Sequence, residues 1–126
     1  MQSGPTLPDL RSIQDDVVAK RFDDALKALD KLLSVEPDNP EALYMSAVCR
    51  RYKNDCNIAL EVLQRLKFVA PEHGRAHQEE DHTYRDIGKL DEALLAYSRA
   101  CRFNPALESS WRGQLQILIS KRLDGQ

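Results

Sequence analysis

Glycine is scarce in this chain, and what there is lies scattered. The five glycines stand at Gly4, Gly74, Gly88, Gly113 and Gly125, too far apart to build a loop that cradles a phosphate. Cysteine is rarer still. Cys49, Cys56 and Cys101 are an odd set with no Cys-x-x-Cys pair, which argues against a disulfide framework and against a zinc knuckle. A basic excess is missing: 18 Lys and Arg against 20 Asp and Glu leave a formal net charge of −2, unlike the footprint of a nucleic-acid binder. No apolar run approaches the length of a membrane span. The opening residues Met1-Gln2-Ser3-Gly4-Pro5 lack the basic-then-apolar layout of a signal peptide, so the expected location is the cytoplasm.

Catalytic groupings are absent as well. No serine lies in a Gly-x-Ser-x-Gly elbow. The pairs Asp15-Asp16 and Asp23-Asp24 are adjacent on helical stretches and point apart, as a charged surface would. The segment carrying His73, His77 and His82 is rich in metal-ligand side chains but has no His-Glu-x-x-His order. Neighbouring helical positions also differ by 100° in direction. The sequence therefore assigns no catalytic residue, no cofactor and no metal, and a non-enzyme is expected.

What the chain does have is a beat. Pro37, Pro71 and Pro105 stand thirty-four residues apart (71 − 37 and 105 − 71). Ala25, Ala59 and Ala93 keep the same interval, as do Leu26, Leu60 and Leu94. Three residue types in one register mark an array of one supersecondary unit. Arrays of this kind work chiefly as binding surfaces.

The unit itself reads as two helices. Over residues 22–37, Phe22, Ala25, Leu26, Leu29, Leu32 and Leu33 follow the i, i+3, i+4, i+7 spacing of one helix face, and Pro37 stops the run. Asn39-Pro40 supplies an N-cap and a proline at the first helical position, predicting a helix over residues 40–52. Asn54 then tolerates the left-handed backbone that ends a helix. The next cycle repeats the pattern from Cys56 to Pro71. The third reads as helices over 74–87 and from about Leu90, separated by Gly88, and a last helix is expected from about Glu108 with Trp111, Leu115, Leu118 and Ile119. Strand-like alternation appears nowhere. Loops of three to five residues force antiparallel neighbours.

On these residues the chain resembles the tetratricopeptide-repeat family, whose unit has this length and a Trp-x2-Leu-Gly-x2-Tyr, Ala-x3-Phe, Pro pattern. The matching positions are His77, Glu80, Asp81, Tyr84, Ala93, Tyr97 and Pro105 in the third cycle. In the second they are Leu43, Ser46, Ala47, Arg50, Ala59, Leu63 and Pro71. The first cycle fits in its second helix (Ala25, Leu29, Pro37) and poorly in its first (Asp9, Ser12, Ile13, Asp16). The resemblance implies an all-α fold, a superhelical array of antiparallel helix pairs of about three and a half units. These are 6–39, 40–73 and 74–107, with a final partial helix at 108–122 and a flexible start at 1–5. It also implies that Ala25, Ala59 and Ala93 fill the close crossing within each pair. Two residues depart from the pattern. Asp81 takes a small-residue position and Glu80 a leucine position. Buried carboxylates need partners, so a solvated or salt-bridged helix end is expected, with Arg50 and Arg85 as the available cations.

By analogy with the family, the first helices of the units line an inner groove. The expected contacts are Tyr44, Met45, Val48, Arg51 and Tyr52 from the second unit, Gln78, His82 and Arg85 from the third, and Arg112 and Gln116 from the fourth. Tyrosine and arginine are the side chains that interfaces favour. The family's carboxylate clamp for heat-shock chaperones is not expected, because its positions hold Leu10, Gln14, Met45, Arg75 and Glu79. A narrower likeness runs from Arg75 through Asn104-Pro105 to Arg112. It is similar to the repeat region that precedes the catalytic domain of bacterial tetratricopeptide-repeat sulfotransferases. The expected function is a noncatalytic module that binds a protein or peptide, with neither nucleic acid nor membrane as partner. The alternatives are a repeat domain appended to a larger enzyme and a homodimer formed through the array ends.

Overall fold

The computed structural model describes residues 7–107. Among them are six helices and no strand: α1 (Leu10–Val18), α2 (Phe22–Val35), α3 (Pro40–Tyr52), α4 (Cys56–Val69), α5 (Gly74–Asp86) and α6 (Leu90–Phe103), with a 3-10 turn at Pro105–Leu107. The expected all-α architecture is what forms; α2 to α6 lie within a residue or two of the bounds read from the sequence, which does not delimit α1. The helix expected from Glu108, and with it Trp111, Arg112, Leu115, Gln116, Leu118 and Ile119, lies outside the described residues. The chain divides into two compact units, Met1–Val69 and Ala70–Gln126.

Starts and stops are set locally. Asn39 caps α3, its side chain accepting the Ala42 N–H at 3.1 Å, and Pro40 fills the first helical position. The turns between α1 and α2, α3 and α4, and α5 and α6 close alike. Lys20, Asn54 and Gly88 hold φ of 64°, 65° and 79°, again thirty-four residues apart (54 − 20 and 88 − 54). Each donates its N–H three residues back: Lys20 to Val17 (3.0 Å), Asn54 to Arg51 (2.9 Å) and Gly88 to Arg85 (3.1 Å). The following amide reaches five residues back: Arg21 to Asp16, Asp55 to Arg50 and Lys89 to Tyr84, each at 2.8 Å. That pair of bonds is the Schellman stop, which satisfies carbonyls the helix leaves open.

In the N-terminal unit the core is apolar. Ile13, Leu29, Leu63 and Leu66 are at most 1% exposed, each contributing about 1.5–3 kcal/mol through burial. Ala25, Ala42, Ala47 and Ala59 are fully buried, as expected for residues at close helix crossings. In the C-terminal unit Ala76, Ala93, Ala96 and Ala100 play that part around Tyr97, which is 2% exposed.

Candidate protein-interaction surface

The expected contact residues fall on α3 and α5. On α3, Met45 is 7% exposed and belongs to the core with Ile13, Leu29 and Cys49, while Tyr44 packs half-buried against the same cluster. Val48 and Arg51 are half-buried. Tyr52 stands out at 54% exposure. Its ring stacks on Phe22 of α2, centroids 5.1 Å apart and planes 6° from parallel. The Arg51 guanidinium sits 4.5 Å from the Tyr52 ring centre, within the range of a cation–π contact. Nearby in the same unit Lys53 pairs with Asp23 at 2.5 Å, and that hydrogen bond with its charge holds Asp23 below the usual carboxylate range. Val18, at the end of α1, is 76% exposed. The N-terminal unit thus exposes Val18 and Tyr52, the latter with Arg51 over its ring, while Met45 and Tyr44 pack on the core.

On α5, Gln78, His82 and Arg85 are half-buried. Arg85 is tied down. Its Nε and Nη2 donate to Asp81 Oδ2 at 3.1 and 3.0 Å, Nη2 lies 2.5 Å from His82 Nδ1, and the guanidinium approaches the Tyr97 ring at 5.9 Å. Arg112 and Gln116 lie outside the described residues.

The expectation of a solvated or salt-bridged helix end at Glu80 and Asp81 is corrected. Both are buried, Glu80 at 1% and Asp81 at 0%. Asp81 does pair with Arg85 but Arg50 turns to Asp55 at 3.8 Å. Burial explains the consequence: desolvation pushes the Asp81 carboxyl up to about 6, with Glu79 adding to it and Arg85 opposing it. These are core positions throughout. Leu43, Met45, Ser46, Ala47 and Cys49 of α3 are replaced in the same register by His77, Glu79, Glu80, Asp81 and Thr83 of α5, and all ten are at most 7% exposed. Helical periodicity places them inside, and only residue type had pointed outward.

His77 of α5 and His73 just before it are structural too. His77 stacks on Phe103 at 5.3 Å and bonds the Pro71 carbonyl through Nε2 at 3.0 Å. His73 caps the helix, a role that its thirty-four-residue spacing from Asn39 would have revealed. No group of three or more His, Cys, Asp or Glu that could hold a metal occurs among the described residues. No described helix is long and apolar enough to cross a membrane.

Solved structures share this arrangement. The structure titled "MamA RS-1 ArsTM double mutant" superposes with a TM-score of 0.78 at 20% identity, covering 91% of this chain and 64% of that one. "MamA MSR-1 C2" gives 0.68 at 18% identity over 78% and 59%. The fold is of the tetratricopeptide-repeat type. A third, "Structure of Naa15/Naa10 bound to HypK-THB", gives 0.68 at 20% identity, covering 76% of this chain and 14% of that one. By sequence the chain is similar to Cell division cycle protein 27 homolog A of Arabidopsis thaliana, 28% identical over 88 residues, or 70% of this chain and 12% of that protein. The chain thus spans about an eighth of that relative's length. No protein-family model matches it.

Proposed function

We propose that this tetratricopeptide-type chain is a noncatalytic interaction module that binds a peptide or partner helix, with side chains of α1 and α3 as the contact surface of the N-terminal unit. The observation that carries the reading is Tyr52. It is a large aromatic left 54% exposed, yet held rigid by Phe22 and flanked by Arg51. A pre-ordered aromatic costs little entropy on binding and matches the composition of interface hot spots. Gln78 and His82 supply hydrogen-bonding groups on α5, in the C-terminal unit. The structure of Naa15/Naa10 with HypK-THB supports the reading, as a case in which a similar helical array occurs within a protein complex. Exclusion of nucleic acid follows the acidic balance of the chain.

The test is site-specific photocrosslinking in the source cells. A benzophenone side chain placed at Tyr52 or at Val18 should capture one and the same protein. One placed at Phe68 of α4, 88% exposed but outside α1 and α3, should not. Capture of that protein from Phe68 alone would refute the surface.

A second reading is a repeat domain appended to a larger protein, including the sulfotransferase arrangement. The small share of longer proteins that this chain matches, 12% and 14%, favours it, and it is compatible with the first.

A further inference from the structure

Three helices begin on a side chain that accepts a hydrogen bond from its own first turn. Asp9 accepts from Arg11 N–H at 3.4 Å, Asn39 from Ala42 N–H at 3.1 Å, and His73 Nδ1 from Ala76 N–H at 3.1 Å. Asn39 and His73 occupy the same place in the repeat, but their chemistry differs. An amide oxygen accepts at any pH near neutrality. An imidazole nitrogen accepts only while its lone pair is free, so this cap requires the neutral tautomer with the proton on Nε2. Protonation would turn the acceptor into a donor facing another donor. It would also put a positive charge at the helix N-terminus, where the macrodipole opposes it. Imidazoles change charge between about pH 5 and 8.

We propose that His73 is a proton-sensitive cap, and that its protonation loosens the first turn of α5. The loosening is local, because the neighbouring ties do not need the same lone pair. The His73 backbone N–H holds the Ala70 carbonyl at 3.1 Å, while the Ala76 amide, shared between Nδ1 and the His73 carbonyl at 3.0 Å, is left with the carbonyl alone. His77 Nε2 can donate to the Pro71 carbonyl in either charge state. Among the described residues, the charged neighbours on the same segment are Glu72 and Arg75. From α6, Phe103 and Asn104 lie against Gly74, neither of them titratable, and exposed Arg102 is the charged residue of that turn. Deeper in, Glu80 lies 4.0 Å from His77. Asp81 lies two turns along α5 and titrates with the opposite sign, so the cap must be read at its own amide. Because α5 carries Gln78 and His82, acidification would also weaken a partner held there; that consequence rests on the proposed function, while the cap does not.

The experiment is amide solvent exchange by NMR on the 126-residue chain, at Ala76 and at Ala42, between pH 7.5 and 5.0, corrected for intrinsic rates. Ala76 protection should fall roughly five-fold on acidification, the worth of a lost cap, while Ala42 holds. H73N, which installs the cap of α3, should remove the fall. Long-range proton–nitrogen spectra at pH 7.5 should show His73 protonated on Nε2. A proton on Nδ1, an unchanged Ala76, or an equal fall in H73N would overturn the proposal. None of these readouts depends on a partner.

Discussion

A lysine holds the left-handed backbone at position 20, where the equivalent turns use Asn54 and Gly88. A β-carbon in that conformation costs about 1–2 kcal/mol, and glycine avoids it at a smaller entropic cost. Lys20→Gly should therefore raise stability by about 0.5–1 kcal/mol, read as a higher urea midpoint; a lower midpoint would contradict the strain. Asp81 offers the second residue-scale prediction. Its folded carboxyl is raised from 3.8 to about 6, so between those values the folded state keeps a proton that the unfolded chain has released. Its contribution is present at acid pH and is lost as pH rises through 6. Asp81→Ala, which restores the residue found at Ala47 but leaves Arg85 without this partner, should gain stability relative to the native chain as pH rises from 4 to 7.5. A gain that grows on acidification would reverse the sign. The register alone locates Lys20 and Asp81, yet residue preference argues against a lysine in a left-handed turn and against carboxylates in a core. At exposed Lys20 the local helix stop overrides that preference, and at Asp81 packing of the helix face does.

At the scale of the element, α2 to α6 were legible because their punctuation is chemical, whereas α1 carries little of it. Asn39-Pro40 and Asn54 are signals on which α3 starts and stops, and Gly88 ends α5. The staples beneath those signals were not legible, since they need the turn geometry. Asp16 at the end of α1 holds Arg21 at 2.8 Å, whereas the second turn reverses the charges, Arg50 at the end of α3 facing Asp55 at 3.8 Å. The backbone bonds are the same in both, so either polarity fits. Arg50→Asp or Asp55→Arg alone should destabilise by about 0.5–1 kcal/mol, and the double exchange should recover most of it. Additive losses in urea denaturation would show that the pair does not interact. Helix α5 carries the register of a core helix with the composition of a surface one, and Arg85 is committed to Asp81. Arg85→Ala would therefore confound folding with binding, and Gln78 and His82 are the cleaner probes.

For the molecule as a whole, the repeat fixes the class of fold and leaves the partner open. The two compact units present different chemistry: Val18, Val48 and Tyr52 in the first, Gln78 and His82 in the second. Of the residues expected to make contacts, Met45 and Tyr44 turn into the core because each is both a groove-helix residue and a neighbour of α2. A spacing rule cannot separate those two faces on a helix packed on several sides. The central claim is that a partner rests on Tyr52. Its most direct test is a titration of the crosslinked partner against the chain and against Tyr52→Ala. Circular dichroism would confirm that the fold is kept. The account predicts at least a ten-fold loss of affinity, consistent with removal of a hot-spot tyrosine worth about 2 kcal/mol, and no loss for Phe68→Ala. Unchanged affinity in Tyr52→Ala, or an equal loss for Phe68→Ala, would contradict it.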